Sequence, residues 1–146
     1  MAQYLFNFTG GGGNEAAASL LTAKMWGIGD DERHRGELAP DDDVLIYVAS
    51  SREFIGRAEL ATSVRAWTPS EAEAYPGDSP SGVLLSQVEG WNPPVTMESV
   101  VQRIDPTGSN PYVQGNAAQG FPMGVVQITA AEYEAALAVS REARGT

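Results

Sequence analysis

The chain has no cysteine, one histidine and one lysine among its 146 residues. Without thiols there are no disulfides and no thiolate metal centre, and a lone imidazole, His34, cannot complete a histidine zinc site. Positive charge is scarce: nine Lys and Arg stand against nineteen Asp and Glu, a formal net charge of -10. That deficit excludes a surface that coats nucleic acid through many phosphate contacts, because such binding draws its affinity from released counterions. A small site with a few local arginines survives the exclusion. Acidity alone is a solubility feature. No apolar run reaches the ~20 residues that span a bilayer. The start, Met1-Ala2-Gln3-Tyr4-Leu5-Phe6, has neither the basic stretch nor the long apolar core of a secretory signal. A cytoplasmic, bacterial setting with no membrane partner is expected.

What is present suits a folded core. Hydrophobic residues make up 42% of the chain and charged residues 19%, a globular balance that fits a single domain over 1–146. Ala2–Phe8 reads as a first strand, broken by the glycines that follow Thr9. Asn14 is placed to cap a helix over Ala16–Met25, which Gly27 and Gly29 would end. Val44–Ala49 is a continuous apolar run, a buried strand. Phe54–Trp67 is β-rich and interrupted by Gly56, where a bulge would bend it. Thr68 and Pro69 open a short helix. Val83–Val88 is a strand, Trp91-Asn92-Pro93-Pro94 a stiff connection, and Thr96 the cap of a helix over Met97–Gln102. The run 105–124 is a long loop rich in Gly, Pro, Asn and Gln. Val125–Ile128 is the last strand, and Thr129 caps a last helix over Ala130–Arg144. Strands interleaved with short helices give an α+β class. The connection between Val44–Ala49 and Phe54–Trp67 is too short for a parallel crossover, so the sheet is mostly antiparallel.

Motifs for catalysis are missing. Gly10–Gly13 is followed by Asn14-Glu15, not by the Lys-Ser/Thr of a triphosphate loop, and the dinucleotide spacing fails as well. One phosphate could still meet the backbone N–H groups where the helix begins. Asp41-Asp42-Asp43 lacks the alternating ligands and glycine of a calcium loop. His34 has no nucleophile-elbow sequence to serve. No enzyme activity, metal or cofactor is expected.

Aromatic residues beside glycine and proline are the positive signal. Trp26 precedes Gly27, and Trp91 lies between Gly90 and Asn92-Pro93-Pro94, while Trp67 reads as core. Two exposed indoles could hold a flat ring between them, as readers of flipped or single-stranded bases do. Asn7, Thr9, Ser50, Gln114 and Asn116 offer donors and acceptors for a base edge. Arg33, Arg35 and Arg52 are the candidates for phosphate contact.

These pieces occur in an order that resembles the EVE domain, a PUA-like family related to YTH and ASCH domains. The likeness runs through Tyr4–Phe8, Asn14–Met25, Trp26-Gly27-Ile28-Gly29, Asp43–Tyr47, Phe54-Ile55-Gly56-Arg57-Ala58-Glu59-Leu60 and Val83–Val88. It continues through Pro93-Pro94 to Gly120-Phe121, Val126-Gln127-Ile128-Thr129 and Glu132-Tyr133. The resemblance implies a small curved PUA-like β-barrel of five to six mostly antiparallel strands flanked by short helices. It also implies a noncatalytic pocket for a base, expected to be modified, in DNA or RNA. Trp26 and Trp91 would be its walls, Asn7, Thr9 and Gly27 its edge, and Phe121 with the Gln114–Asn116 loop its closure. Trp26→Ala would then abolish binding without unfolding the protein. A protein partner would supply any effector activity. The alternative is a small-ligand or protein-interaction domain on the same fold, which the acidity favours.

Overall fold

Val44, Ile46 and Val48 face one hydrophobic cluster, while Leu45 and Tyr47 face another, all of them buried. A strand covered on both faces explains why this run is continuously apolar rather than alternating. The computed structural model describes residues 1–109 and 124–145 and builds a curled half-barrel around that strand. The elements are β1 (Gln3–Phe8), α1 (Gly13–Ala23), β2 (Met25–Gly27), a 3-10 turn (Arg35–Glu37), β3 (Asp43–Val48), β4 (Glu53–Leu60), β5 (Arg65–Ala66) and α2 (Pro69–Ala74). They continue with β6 (Ser81–Thr96), α3 (Met97–Ile104), β7 (Gly124–Ile128) and α4 (Ala130–Ala143). Six strands follow the order β2-β6-β4-β3-β1-β7, with the two-residue β5 paired on β6. Only β1 and β3 are parallel; the other pairs run antiparallel.

The expected α+β class of short helices on a curved, mostly antiparallel sheet is what forms. The curl has a local cause. Gly56 pairs with Gly90 and Phe54 with Val95, so the single residue Ile55 faces the four residues Trp91–Pro94. That excess bows β6 outward and lets two prolines lie within a strand, where a regular ladder would reject them. The run read as a connection, Trp91–Pro94, is therefore part of β6, and its Asn92–Pro93 peptide is cis. Gly56 is required here: a Cβ would stand 2.4 Å from the Glu89 carbonyl oxygen.

Other boundaries also shift. The run Phe54–Trp67 stops at Leu60 and resumes only as β5, because Ala61 donates to the Leu84 carbonyl (2.8 Å) and the Thr62 hydroxyl accepts from Leu84 (3.1 Å), turning the chain. Helix α1 is capped by Gly12 in the left-handed region, not by Asn14, whose amide instead donates to Glu53 Oε1 at 3.0 Å. The helix ends at Lys24, which adopts φ 59 and gives its N–H to the Leu20 and Leu21 carbonyls, well before Gly27. Trp67 is half-buried rather than core: its indole N–H donates to the Ser79 carbonyl (2.9 Å) and its ring lies 5.1 Å from Tyr75.

Helix α1 covers one face of the sheet through Ala17, Leu20 and Leu21, packed with Phe6, Trp26, Val44 and Leu60. Helices α3 and α4 cover the other through Met97, Val100, Tyr133, Ala136 and Leu137, packed with Leu5, Tyr47, Phe54 and Trp91. Each such large side chain stabilises by about 1.5–3 kcal/mol when fully buried. Tyr133, Ala136, Leu137 and Ser140 are spaced to line one side of α4 and are buried, and Arg57 Nε fixes that helix by donating to Tyr133 Oη at 2.8 Å.

Candidate functional site

Where β1 and β2 end and β7 starts, a cleft of about 460 Å³ opens to solvent. Asn7, Phe8, Thr9 and Gly10 form one side and Trp26, Gly27 and Ile28 the floor; Tyr75 and the loop Asp31–Arg33 border it, and Gly124 and Val125 close the far edge. Trp26 is only 7% exposed. Its ring is wedged against Phe6 (5.6 Å between centroids, 32° between planes) and edge-on against Phe8 (6.1 Å, 75°). The indole is a rigid part of the core that reaches the cleft, not a free flap. Trp26→Ala would remove a buried ring at a cost of about 3–5 kcal/mol, so the expectation that it would spare the fold is corrected.

Gly27 owes its place to Tyr75. A Cβ at Gly27 would lie 2.3 Å from Tyr75 Oη and 2.7 Å from Ser79 Cβ. Burial raises the pKa of the Tyr75 phenol. Across the cleft, Glu32 Oε1 accepts from the Val125 N–H at 2.9 Å. Gly124 has φ 79, and a Cβ there would meet Glu32 Oε1 at 2.2 Å. The Glu32 carboxylate thus ties the loop after β2 to the start of β7 and holds the two edges of the cleft together.

Five residues singled out in the sequence, Asn7, Thr9, Trp26, Gly27 and Arg33, line this cleft. Arg33 is exposed and forms no ion pair among the described residues. Arg35 is committed elsewhere: Nε donates to the Gly29 carbonyl at 3.1 Å, and its terminal nitrogen reaches Ser81 Oγ (3.3 Å) and Asp30 (3.5 Å). Arg52 sits at the β3–β4 turn with φ 56, where its carbonyl accepts from Met97 N–H (2.9 Å), and it does not line the cleft. Ser50 is on that same turn.

Trp91 does not border the cleft with Trp26. It is 4% exposed and belongs to the core under α3 and α4. Its indole N–H donates to Glu89 Oε1 at 2.9 Å, which with Arg144 and Arg57 holds the Glu89 carboxyl below its usual range. Trp91 borders a separate apolar groove of about 440 Å³ with Leu21, Ile55 and Pro94. The arrangement of two indoles as opposite walls of one pocket is therefore corrected: four bulged residues of β6 carry Trp91 to another surface. Gln114, Asn116 and Phe121 lie outside the described residues. Phe8, Tyr75 and Glu32 were missed by the sequence reading. Phe8 could have been found from its place at the end of the aromatic first strand; Tyr75 and Glu32 carry no local signal.

His34 is apart from the cleft: its ring pairs with Glu37 and packs 5.9 Å from Tyr4. Asp42 is buried and structural, accepting from the Ala2 N–H (3.0 Å) and the Ala39 N–H (3.1 Å). No group of three or more His, Cys, Asp or Glu able to hold a metal ion occurs among the described residues. No helix among them is long and apolar enough to cross a membrane.

No protein-family model and no curated protein matches the chain. Solved structures do. A hypothetical protein from Leishmania major aligns with a TM-score of 0.64 at 16% identity, over 99% of this chain and 97% of that one. The YTH domain of a Zygosaccharomyces rouxii protein, solved in complex with N6-methyladenosine RNA, aligns with a TM-score of 0.60 at 16% identity, over 93% and 85%. An ASCH protein from Zymomonas mobilis gives 0.54 at 11% identity, over 95% and 96%. The chain has a PUA-like fold. Identities this low define the architecture alone.

Proposed function

We propose that the chain is a noncatalytic EVE-type module that takes a modified base of a nucleic acid into the cleft beside Trp26. The observation that carries this reading is the preformed hollow itself. It is open to solvent, bordered by Phe8, Trp26 and Tyr75, and supplied with polar groups by Asn7 and Thr9. Apolar rings with a few placed polar groups are what a planar heterocycle needs. The YTH neighbour, solved with a methylated RNA, supports the reading at the level of fold. With 7% of its surface exposed, Trp26 offers a strip of ring. The half-buried Phe8 and Tyr75 then supply most of the stacking surface at the mouth. A base–aromatic stack contributes about 1–3 kcal/mol. Any downstream activity would belong to a protein partner.

The test is a binding screen of modified nucleosides and short single strands, read by titration calorimetry, on the parent chain, Thr9→Ala and Trp26→Phe. Trp26→Phe keeps an aromatic in the core and is expected to fold and to bind about threefold more weakly, because the smaller ring retains part of the contact. A folded Trp26→Phe protein with full affinity, or a parent chain that binds nothing in the screen, would sink the reading.

A second reading is favoured by the charges. Two carboxylates, Asp31 and Glu32, and one guanidinium, Arg33, line the cleft. A free small ligand without a phosphate backbone fits that balance as well as an oligonucleotide does. Equal affinity for a nucleoside and for its oligonucleotide would select it.

A further inference from the structure

We propose that the cleft selects a methylated base that carries a positive charge over the neutral isomer of the same base; this rests on the base-binding reading above. Three aromatic rings, those of Phe8, Trp26 and Tyr75, border the hollow. The faces of such rings attract cations as well as stack on planar groups. The Glu32 carboxylate is fixed at the same hollow. The Val125 N–H holds Oε1 at 2.9 Å, and the missing side chain of Gly124 leaves it room. One backbone N–H cancels no formal charge, and Glu32 forms no ion pair among the described residues.

The other two charged neighbours oppose each other. Asp31 and Arg33 are both exposed, so salt screens them and their signs offset, while Glu32 is half-buried and screened less. The net local charge is negative, and the whole chain at -10 raises the local concentration of cations. A neutral methylated base gains stacking alone in this setting. A cationic one gains stacking, attraction to the ring faces and attraction to a carboxylate already held in place.

Two isomer pairs test this on the full chain: N1-methyladenosine against N6-methyladenosine, and N3-methylcytidine against 5-methylcytidine. The first member of each pair is cationic at neutral pH and differs from the second only in the position of the methyl group and in one added proton. The cationic member is expected to bind about tenfold more tightly in at least one pair. Glu32→Gln keeps an oxygen for the Val125 N–H and is expected to shrink that preference to less than about threefold. If Glu32→Gln does not fold, the parent chain decides alone: raising the pH above the base's own pKa must erase the preference. Equal or tighter binding of the neutral isomers overturns the selection and leaves base binding standing. Failure of all four nucleosides and of the wider screen overturns both.

Discussion

Gly27 shows how much of the cleft depends on single atoms. Tyr75 Oη and Ser79 Cβ occupy the volume a side chain would need, at 2.3 and 2.7 Å from an ideal Cβ. Gly27→Ala is expected to destabilise the fold by about 1–3 kcal/mol, as overpacking does, and to push Tyr75 off the cleft. Urea unfolding with ligand binding alongside measures both; an alanine variant of parent stability would mean that Tyr75 moves freely. The Trp26-Gly27 pair was legible in the sequence because an indole beside a glycine is an unusual local signature. Its partner Tyr75 was not, since nothing near Pro76-Gly77 announces a contact so far back along the chain. Trp91 carried the same local signature as Trp26 and ends elsewhere. Proximity to glycine and proline marks an irregular backbone, and only the fold decides which surface it serves.

At the scale of elements, the β5–α2 corner is held by charge. Arg65 grips Glu71 with two hydrogen bonds, at 2.6 and 2.7 Å, while Glu71 accepts from the Thr68 N–H and Thr68 caps the helix in return. The Arg65 guanidinium first, then the Thr68 N–H, lowers the Glu71 carboxyl from an ordinary 4.5 to about 2. A carboxyl lowered in the folded state adds stability that is complete above 4.5 and fades as pH falls toward about 2. A carboxyl carbon NMR titration is expected to give Glu71 a midpoint near 2, returning toward 4.5 in Arg65→Ala. An unshifted midpoint in the parent chain would refute the grip. The start of α2 was readable from Thr68-Pro69-Ser70-Glu71, a capping pattern written in consecutive residues. The start of α1 was misread because Asn14, a good cap by type, has a nearby glutamate on β4 to bind, and Gly12 already supplies the left-handed turn.

Over the whole molecule, charge limits how a nucleic acid could be held, if the proposed reading is right. Arg33 is the cation that lines the cleft among the described residues. With about one phosphate contact, log affinity for a short single strand should fall with log salt at a slope near -0.7. Arg33→Gln should flatten it. A slope several times steeper, measured between low and moderate salt, would mean that arginines away from the cleft also meet phosphates, and would overturn the single-contact expectation. The α+β class and the curved antiparallel sheet were legible because β-rich runs, glycine breaks and capped helices each declare themselves locally. The neighbour order β2-β6-β4-β3-β1-β7 is a long-range property that no window of residues contains. That order has a consequence during synthesis. Strand β1, Gln3–Phe8, is made before both of its neighbours, β3 and β7, and its second flank is filled only by Gly124–Ile128. A nascent chain halted before residue 124 would show the naked rim of β1 to its surroundings, and the last strand is what makes that rim safe from pairing with a stranger.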